Sequence, residues 1–272
     1  MIAILALSTV AIQHTTYAIY KPRNVVSAAG VVNTGRKNYP TLTDVMVAAG
    51  VDPLAGHVGR LDAETSGLIL VTNDSLLLRG VLGWKGVLEA YGGAPVTKRY
   101  ELLVAGKHSP NSEALQSLGE PLTHSRGGET YHSEAALAVV HKGSFKDDEL
   151  AAGGFQLIDR VDAPERLEAE RRKLLATLSP KTSRATGQVV PAWVPFEGWC
   201  TRVELTLKQG RHHQIRRLCR RAALRLWHLR RISVGPITLG AMQAGEVRTL
   251  DCKEVAMLCD ICLPSRESQI TS

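Results

Sequence analysis

The sequence contains few aromatic residues and no hydrophobic run long enough to cross a membrane as a helix. Phe, Trp and Tyr together make up 5% of its 272 residues. The apolar stretch at residues 1–12 is shorter than the roughly 20 residues that a membrane-spanning helix needs, and it lacks the basic start of a secretory signal. We therefore expect an intracellular protein, in the cytoplasm or an organelle, that is neither secreted nor inserted into a membrane.

Cysteine is also scarce, and its number is odd. The five cysteines include one C-x-x-C pair, Cys259 and Cys262, with Cys252 as a third thiol nearby. A structural zinc site needs four ligands, and these three thiols leave it incomplete. The cysteines thus predict free thiols in a reducing compartment, with neither a disulfide framework nor a bound metal.

Acidic residues are missing from one segment of the chain. Residues 208–231 contain eight Arg and one Lys without a single Asp or Glu, so this segment carries more positive charge than the net +7 of the whole chain. Such a concentration suits a surface that faces phosphates, because Arg forms paired hydrogen bonds with phosphate oxygens. A solvated helix face is the alternative explanation of the same pattern. The charge pattern favours a nucleic acid as the partner.

Hydrophobic periodicity predicts a chain that mixes helices and strands. We expect a first hairpin that turns at Lys21-Pro22, and an amphipathic helix at residues 212–223 with arginines beside its apolar stripe. The other expected helices are residues 43–49 and 111–118, and the other expected strands are residues 67–74, 98–106, 200–207, 228–234 and 246–251. Residues 142–199 interrupt this rhythm, and we interpret them as an insertion within a single catalytic domain that spans residues 1–272.

One loop carries a carboxylate beside a cation and hydroxyl groups. Arg60 and Asp62 lie just before the buried-strand candidate, and Thr65-Ser66-Gly67 follows them. Taken alone, an R-x-D sequence is more typical of an Asx turn or a structural ion pair than of a catalytic site. A loop at the edge of a strand is nonetheless a position from which side chains reach ligands.

The longer motif HVGRLDAETSGLILVTND resembles the signature of RNA pseudouridine synthases, in which a loop Asp precedes a hydrophobic strand. Three further segments follow the order of that family: YKP, then KRYELLVAG, then LKQGRHHQIRRLCRRA with LRRISVGPITLGAMQAGEVRTL. The last segment has a second Arg directly after H-Q-I-R, and in this respect it resembles the RsuA-like branch of the family. The resemblance implies an α+β catalytic domain with a mixed, mainly antiparallel sheet in two subdomains and flanking helices, here without the N-terminal S4 domain of many RsuA-like enzymes.

The resemblance also implies roles for individual residues. Asp62 would be the essential carboxylate, Arg216 the cation paired with it, and Tyr100 the ring that stacks on the target uracil. A nearby guanidinium favours the charged carboxylate and holds it for attack. Arg60 would help to displace the target nucleotide, and Leu229 would line the base pocket. Arg217, Arg220 and Arg221 are candidate phosphate contacts. Lys98 and Lys21 also match the family, without a specific role.

The implied reaction converts uridine to pseudouridine in RNA, with ribosomal RNA as the expected substrate and a monomer as the expected enzyme. The C–N glycosidic bond breaks, the uracil rotates, and a C–C bond forms, without a cofactor or metal. Asp62 would either attack the sugar or remove a proton from it, and Tyr100 would assist the final deprotonation. His212 and His213 are expected to pack or to form hydrogen bonds rather than to bind a metal.

Two other functions fit parts of the sequence. A non-catalytic RNA-binding or ribosome-assembly protein would share the basic segment, although such a protein is expected to have lost Asp62 or Tyr100, and both are present. A glycoside hydrolase would need a second carboxylate opposite the first, and Glu64 lies only two residues from Asp62. The sequence therefore favours the synthase.

Overall fold

The structure is a computed structural model that describes residues 14–27, 40–126, 129–146 and 199–265. The apolar N-terminal run and most of the expected insertion lie outside the described residues. Within the described residues, no helix is both long enough and apolar enough to cross a membrane.

The described chain forms a large mixed sheet flanked by short helices. The strands are β1 (Thr16–Lys21), β2 (Gly56–His57), β3 (Ser66–Thr72), β4 (Lys98–Ala105), β5 (Leu122–Arg126), β6 (Glu129–Ser133), β7 (Ala138–Lys146), β8 (Trp199–Leu207), β9 (Leu226–Val234), β10 (Ile237–Thr238) and β11 (Val247–Thr249). The helices are α1 (Leu42–Ala48), α2 (Ser75–Leu82), α3 (Lys85–Tyr91), α4 (Glu113–Ser117), α5 (Gln214–Arg221) and α6 (Cys252–Cys262). The sheet has nine strands in the order β11-β1-β3-β9-β4-β8-β7, with β2 on β3 and β10 on β9, and β5 pairs with β6 separately.

One half of the sheet, around β1 and β3, is buried on both faces. On one face, Leu68 and Leu70 pack with α2 and α6, and on the other face Ile69 packs with Leu42 and Met46 of α1. Because strand side chains alternate between faces, a strand covered on both sides has an almost continuous apolar sequence. The apolar run GLILV in the sequence has this origin.

The other half of the sheet, around β4, β8 and β9, has a core on the face that α5 covers. Leu102 and Val104 of β4 pack with Ile215 and Leu218 of α5, and Leu61 from the loop before β3 joins the same cluster. The alternating burial along β8 is typical of a strand with one covered face. The loop that carries Asp62 is therefore anchored in the core of the second half.

The two halves meet where β3 and β9 pair in parallel, at Ser66 with Arg230 and Gly67 with Arg231. Gly67 has a φ of +108°, and a Cβ on it would lie 2.3 Å from the Arg231 carbonyl oxygen. Only glycine permits this backbone conformation together with such a close approach. The glycine of the T-S-G sequence is thus required by the junction of the two halves.

The expected mixed, mainly antiparallel α+β fold is confirmed, because β3 with β9 is the only parallel strand pair among the described residues. The expected helix at residues 43–49 begins slightly earlier, where Thr41 and Asp44 form a capping box. The expected hairpin at Lys21-Pro22 is wrong. Both edges of β1 are occupied by β3 and β11, so the segment after Pro22 cannot pair with it.

Candidate active site

Asp62 lies in the loop between β2 and β3, as the sequence predicted. The loop turns back on itself, because the Thr65 amide donates to the Asp62 carbonyl at 3.0 Å. Gly59, with a φ of +74°, begins the turn, and the His57 ring contacts its carbonyl at 2.7 Å. Together with the anchored Leu61, these contacts hold the Asp62 backbone on both sides.

A second loop, which follows β1, forms hydrogen bonds to the loop that carries Asp62. The Ser27 hydroxyl donates to the Leu61 carbonyl at 3.0 Å and accepts from the Leu61 amide at 3.1 Å. The Asn24 amide donates to the Ala63 carbonyl at 2.7 Å, from a left-handed backbone conformation that Asn tolerates. Lys21 is fully buried and donates to two carbonyls of this second loop. Lys21 therefore contributes to the shape of the site without lining it.

The side chain of Asp62 is held by two residues at the start of α5. Arg216 Nε lies 3.3 Å from Asp62 Oδ2, and His213 Nε2 lies 3.2 Å from Oδ1, so each carboxylate oxygen has its own partner. Arg216 also donates to the Thr65 hydroxyl at 3.3 Å and pairs with Glu64 at 3.3 Å. The carboxylate is thus fixed in orientation while its side chain stays 34% exposed.

The local sequence explains how His213 reaches Asp62. His213 is the residue before α5 and has a φ of +51°, and its ring stacks on that of His212 at 3.8 Å between centroids. The Gln214 side chain accepts from the Arg211 amide at 3.1 Å, which closes the turn before the helix. The segment R-H-H-Q-I-R therefore presents His213 and Arg216 from one tight turn and the first turn of a helix.

A cleft of about 790 Å³ surrounds this carboxylate. Tyr100 and Leu229, both largely buried, lie on its floor, and Leu82 at the end of α2 lines it as well. The cations that line the cleft are Arg60, Lys98, Arg211, Arg216 and Arg231. Among the described lining residues Asp62 is the only acid, so the cleft is positively charged and suits a polyanion.

Lys98 is partly enclosed in the cleft wall. Its ammonium group donates to the Val96 carbonyl at 2.7 Å and to the Val81 carbonyl at 3.4 Å. Burial, with a further contribution from the charge of Arg231, lowers the pKa of Lys98 to about 8. Lys98 is therefore a cation at neutral pH that loses its proton in mildly alkaline solution.

The structure brings most of the expected site residues together. Arg60, Asp62, Lys98, Tyr100, Arg216 and Leu229 all line the one cleft. Arg217, Arg220 and Arg221 do not line it. Arg217 donates to the His212 carbonyl, Arg220 is exposed on α5, and Arg221 donates to the carbonyls that follow α4, including that of Pro121 at 2.6 Å.

Four residues of the site were not assigned by sequence reasoning. His213 was expected to pack or to form a hydrogen bond, but its partner Asp62 is 151 positions away and no local pattern indicates that contact. Arg211 and Arg231 lie in the acid-free segment, which predicted a basic surface without distinguishing the arginines that enter the cleft. Ser27 has no sequence signal beyond its position shortly after Y-K-P.

All five cysteines are thiols outside any disulfide, and they range from the buried Cys262 to the exposed Cys252. Within the described ranges, no group of three or more His, Cys, Asp or Glu is placed to hold a metal ion. The Sγ of Cys262 donates to the Leu258 carbonyl at 3.1 Å inside α6. The C-x-x-C pair is therefore part of a helix that packs on the sheet.

A sequence model of the family described as RNA pseudouridylate synthase matches residues 15–221. An uncharacterized RNA pseudouridine synthase of Aquifex aeolicus is 37% identical over 65 residues, which are 24% of this chain and 26% of that protein. Another, from Mycobacterium tuberculosis, is 25% identical over 202 residues, which are 74% of this chain and 53% of that protein. The chain thus spans about half the length, or less, of these relatives.

A solved structure described as a pseudouridylate synthase has a similar fold. It superposes with a TM-score of 0.52 at 18% sequence identity, and the match covers 90% of this chain and 74% of the other. At this identity the comparison concerns the fold alone.

Proposed function

This chain belongs to the RNA pseudouridylate synthase family, and from that membership we propose that it converts a uridine of RNA to pseudouridine. The observation that carries the proposal is the meeting of Asp62, Arg216 and Tyr100 in one positively charged cleft. These three residues come from a loop, a helix and a strand that are far apart in the sequence. The cleft combines the carboxylate that such a reaction needs with an aromatic floor for a base.

Each residue has a role in the proposed reaction. Asp62 acts on the ribose, by attack on C1′ or by removal of the neighbouring proton, while Arg216 and His213 hold its two oxygens. Tyr100 stacks on the uracil and assists the loss of the C5 proton after the new C–C bond forms. Arg60 stands at the exposed side of the cleft, where it helps to displace the nucleotide from its stack.

The substrate of the proposed reaction is RNA, because a cleft whose described lining residues include five cations and one acid attracts phosphates. An enzyme with a recessed carboxylate must flip its target base, at a cost of a few kcal/mol that phosphate contacts offset. Leu229 lines the base pocket, and Arg217, Arg220 and Arg221 remain candidate phosphate contacts on α5. The Arg217 that follows H-Q-I-R favours the RsuA-like branch, and with it ribosomal RNA as the substrate and a monomer as the active form.

The test compares the wild-type protein with Asp62→Asn on unmodified ribosomal and transfer RNA. Pseudouridine is mapped by reverse-transcription stops that depend on carbodiimide treatment. We expect stops with the wild-type protein and a loss of at least about 10³-fold in rate with Asp62→Asn, because the variant is isosteric but has no charged carboxylate. Asp52→Asn, in the exposed loop before β2, is the matched control and should keep full activity.

Two outcomes would contradict the proposal. Equal stops with wild type and Asp62→Asn would show that Asp62 is not needed for the reaction. Equal binding of RNA by both proteins, with no stops on either RNA class, would instead favour a non-catalytic RNA-binding protein.

A further inference from the structure

Two neighbouring arginines on β9 differ in how their charge is compensated. Arg230 pairs with the buried Glu101 at 2.6 Å on one face of the sheet. Arg231 points to the other face, is 3% exposed, and lines the cleft. Its Nε donates to the Leu68 carbonyl at 2.7 Å, whereas its Nη2 is shielded from solvent and has no hydrogen-bond partner. Within the described part of the chain, Arg231 also has no carboxylate partner.

A buried cation without an acid is costly to the folded state. An unsatisfied buried donor destabilises the folded state, and it does so more strongly when it carries a charge. The cost is increased here because Lys98, a second cation, lies near enough for the charge of Arg231 to depress its pKa. A pair of cations in this position indicates that an acceptor from outside the chain completes the site.

The position of Arg231 identifies the part of the substrate that it meets. Arg231 lies directly across from Tyr100 on the neighbouring strand, and Lys98 and Leu229 are each two residues away along their strands. Alternate residues on adjacent strands share a face, which places Tyr100, Arg231 and Leu229 on one surface. Lys98 lies beyond the register shift between Arg99 and Tyr100 and joins them by lining the same cleft. We call these four residues the floor quartet. All four line the cleft.

Three members of the floor quartet are more buried than the carboxylate. Tyr100 is 7% exposed, Leu229 5% and Arg231 3%, whereas the Asp62 side chain is 34% exposed. If the ribose meets Asp62, the phosphates stay outside and the base alone reaches the floor. An apolar residue and an aromatic ring suit the flat faces of a base, and the two cations suit the carbonyl oxygens on its edge.

We propose that Arg231 donates a hydrogen bond to a carbonyl oxygen of the target uracil and stabilises the negative charge that develops on the base. This inference rests on the proposed function. When the C1′–N1 bond breaks, its electron pair leaves with N1 and is delocalised onto O2 and O4, while Asp62 either bonds to C1′ or takes the proton of C2′. As C5 of the rotated base bonds to C1′, the Asp62–C1′ bond breaks or the proton returns to C2′. C5 then loses its proton and N1 gains one, so no external reactant is consumed. A fixed donor at the charged oxygen lowers the barrier of the first step.

The first experiment measures binding of the free nucleotide. UMP and its 2-thio and 4-thio analogues are titrated into the full chain and followed by NMR, since sulfur accepts hydrogen bonds more weakly than oxygen. We expect the wild type to prefer UMP over one of the two analogues, and Arg231→Met to bind all three equally and more weakly. Arg202→Met removes an arginine that pairs with Glu101 outside the cleft, and this control should behave as wild type.

The second experiment measures single-turnover formation of pseudouridine in RNA. We expect Arg231→Met to slow the reaction by about 10²-fold, as removal of one oxyanion donor does, with RNA affinity nearly unchanged. Arg231→Lys keeps the charge and should recover part of the rate. It also serves as the second variant if Arg231→Met fails to fold after losing its bond to Leu68, which thermal unfolding reveals.

The outcomes separate this inference from the proposed function. Unchanged UMP preference in Arg231→Met, no UMP binding by the wild type, or an unchanged rate in both Arg231 variants would each overturn the role of Arg231. Arg231-dependent binding of UMP without any pseudouridine formation would support the base pocket and contradict the proposed synthase activity.

Discussion

Replacement of Gly67 by Ala tests whether the junction of β3 and β9 positions the site. A Cβ at this residue would lie 2.3 Å from the carbonyl oxygen and 2.6 Å from the nitrogen of Arg231, whereas ordinary contact begins near 3.4 Å. Both obstacles are backbone atoms in a sheet, so a side-chain rotation cannot relieve the overlap. The two strands would have to separate by about 1 Å, and close-packed interiors resist such a change.

The expected loss in the free energy of unfolding has two parts. A φ of +108° is strained for Ala, at about 1–2 kcal/mol, and the steric overlap adds about 1–3 kcal/mol. The sum is about 2–5 kcal/mol, a large share of the 5–15 kcal/mol that stabilises a typical domain. In a chain of this size, each kcal/mol shifts the melting temperature by roughly 2–4 °C.

Thermal and urea unfolding of Gly67→Ala measure this loss, with Gly50→Ala and Gly240→Ala as matched controls. Both control glycines have positive φ, at +72° and +56°, and an added Cβ would have no neighbour within 4 Å. Each control should lose only about 1 kcal/mol, from backbone strain alone. The reasoning is refuted if Gly67→Ala is no less stable than the controls. If it folds, its pseudouridine formation should fall, because β3 follows the Asp62 loop directly.

Two further predictions concern residues of the cleft. His213→Asn tolerates the left-handed backbone but removes the 3.2 Å contact to Asp62, so the single-turnover rate should fall by roughly tenfold with RNA affinity unchanged, and an unchanged rate would exclude a positioning role. For Lys98, burial lowers the pKa from 10.5 to about 8, so the folded state releases this proton before the unfolded state does. The free energy of unfolding of the wild type should therefore increase as pH rises from about 8 to 10.5. Urea unfolding of Lys98→Met should show no such increase, and equal pH slopes for the two proteins would contradict the lowered pKa of Lys98.

Local patterns in the sequence predicted several elements because their causes are local. The apolar run of β3 follows from burial on both faces, and the helix at α5 follows from the 3.6-residue spacing of Ile215 and Leu218. The helix α2, which was not predicted, also had a local signal, since Asp74 caps its first turn by accepting from two backbone amides. A strand's alternation does not identify its partner, and for that reason the hairpin after β1 was wrong.

The sequence by itself determined which residues are candidates for the proposed chemistry: Asp62 in its loop, Lys98 and Tyr100 in the first residues of a strand, and Arg216 on a helix. Motifs of this kind specify residues whose spacing is set within one element. Only the tertiary structure decided that His213 contacts the second oxygen of Asp62 and that Arg231, unlike Arg230, faces the cleft without a carboxylate partner among the described residues. Those facts depend on which strands lie side by side and on which face each residue emerges, and contacts between distant segments determine both.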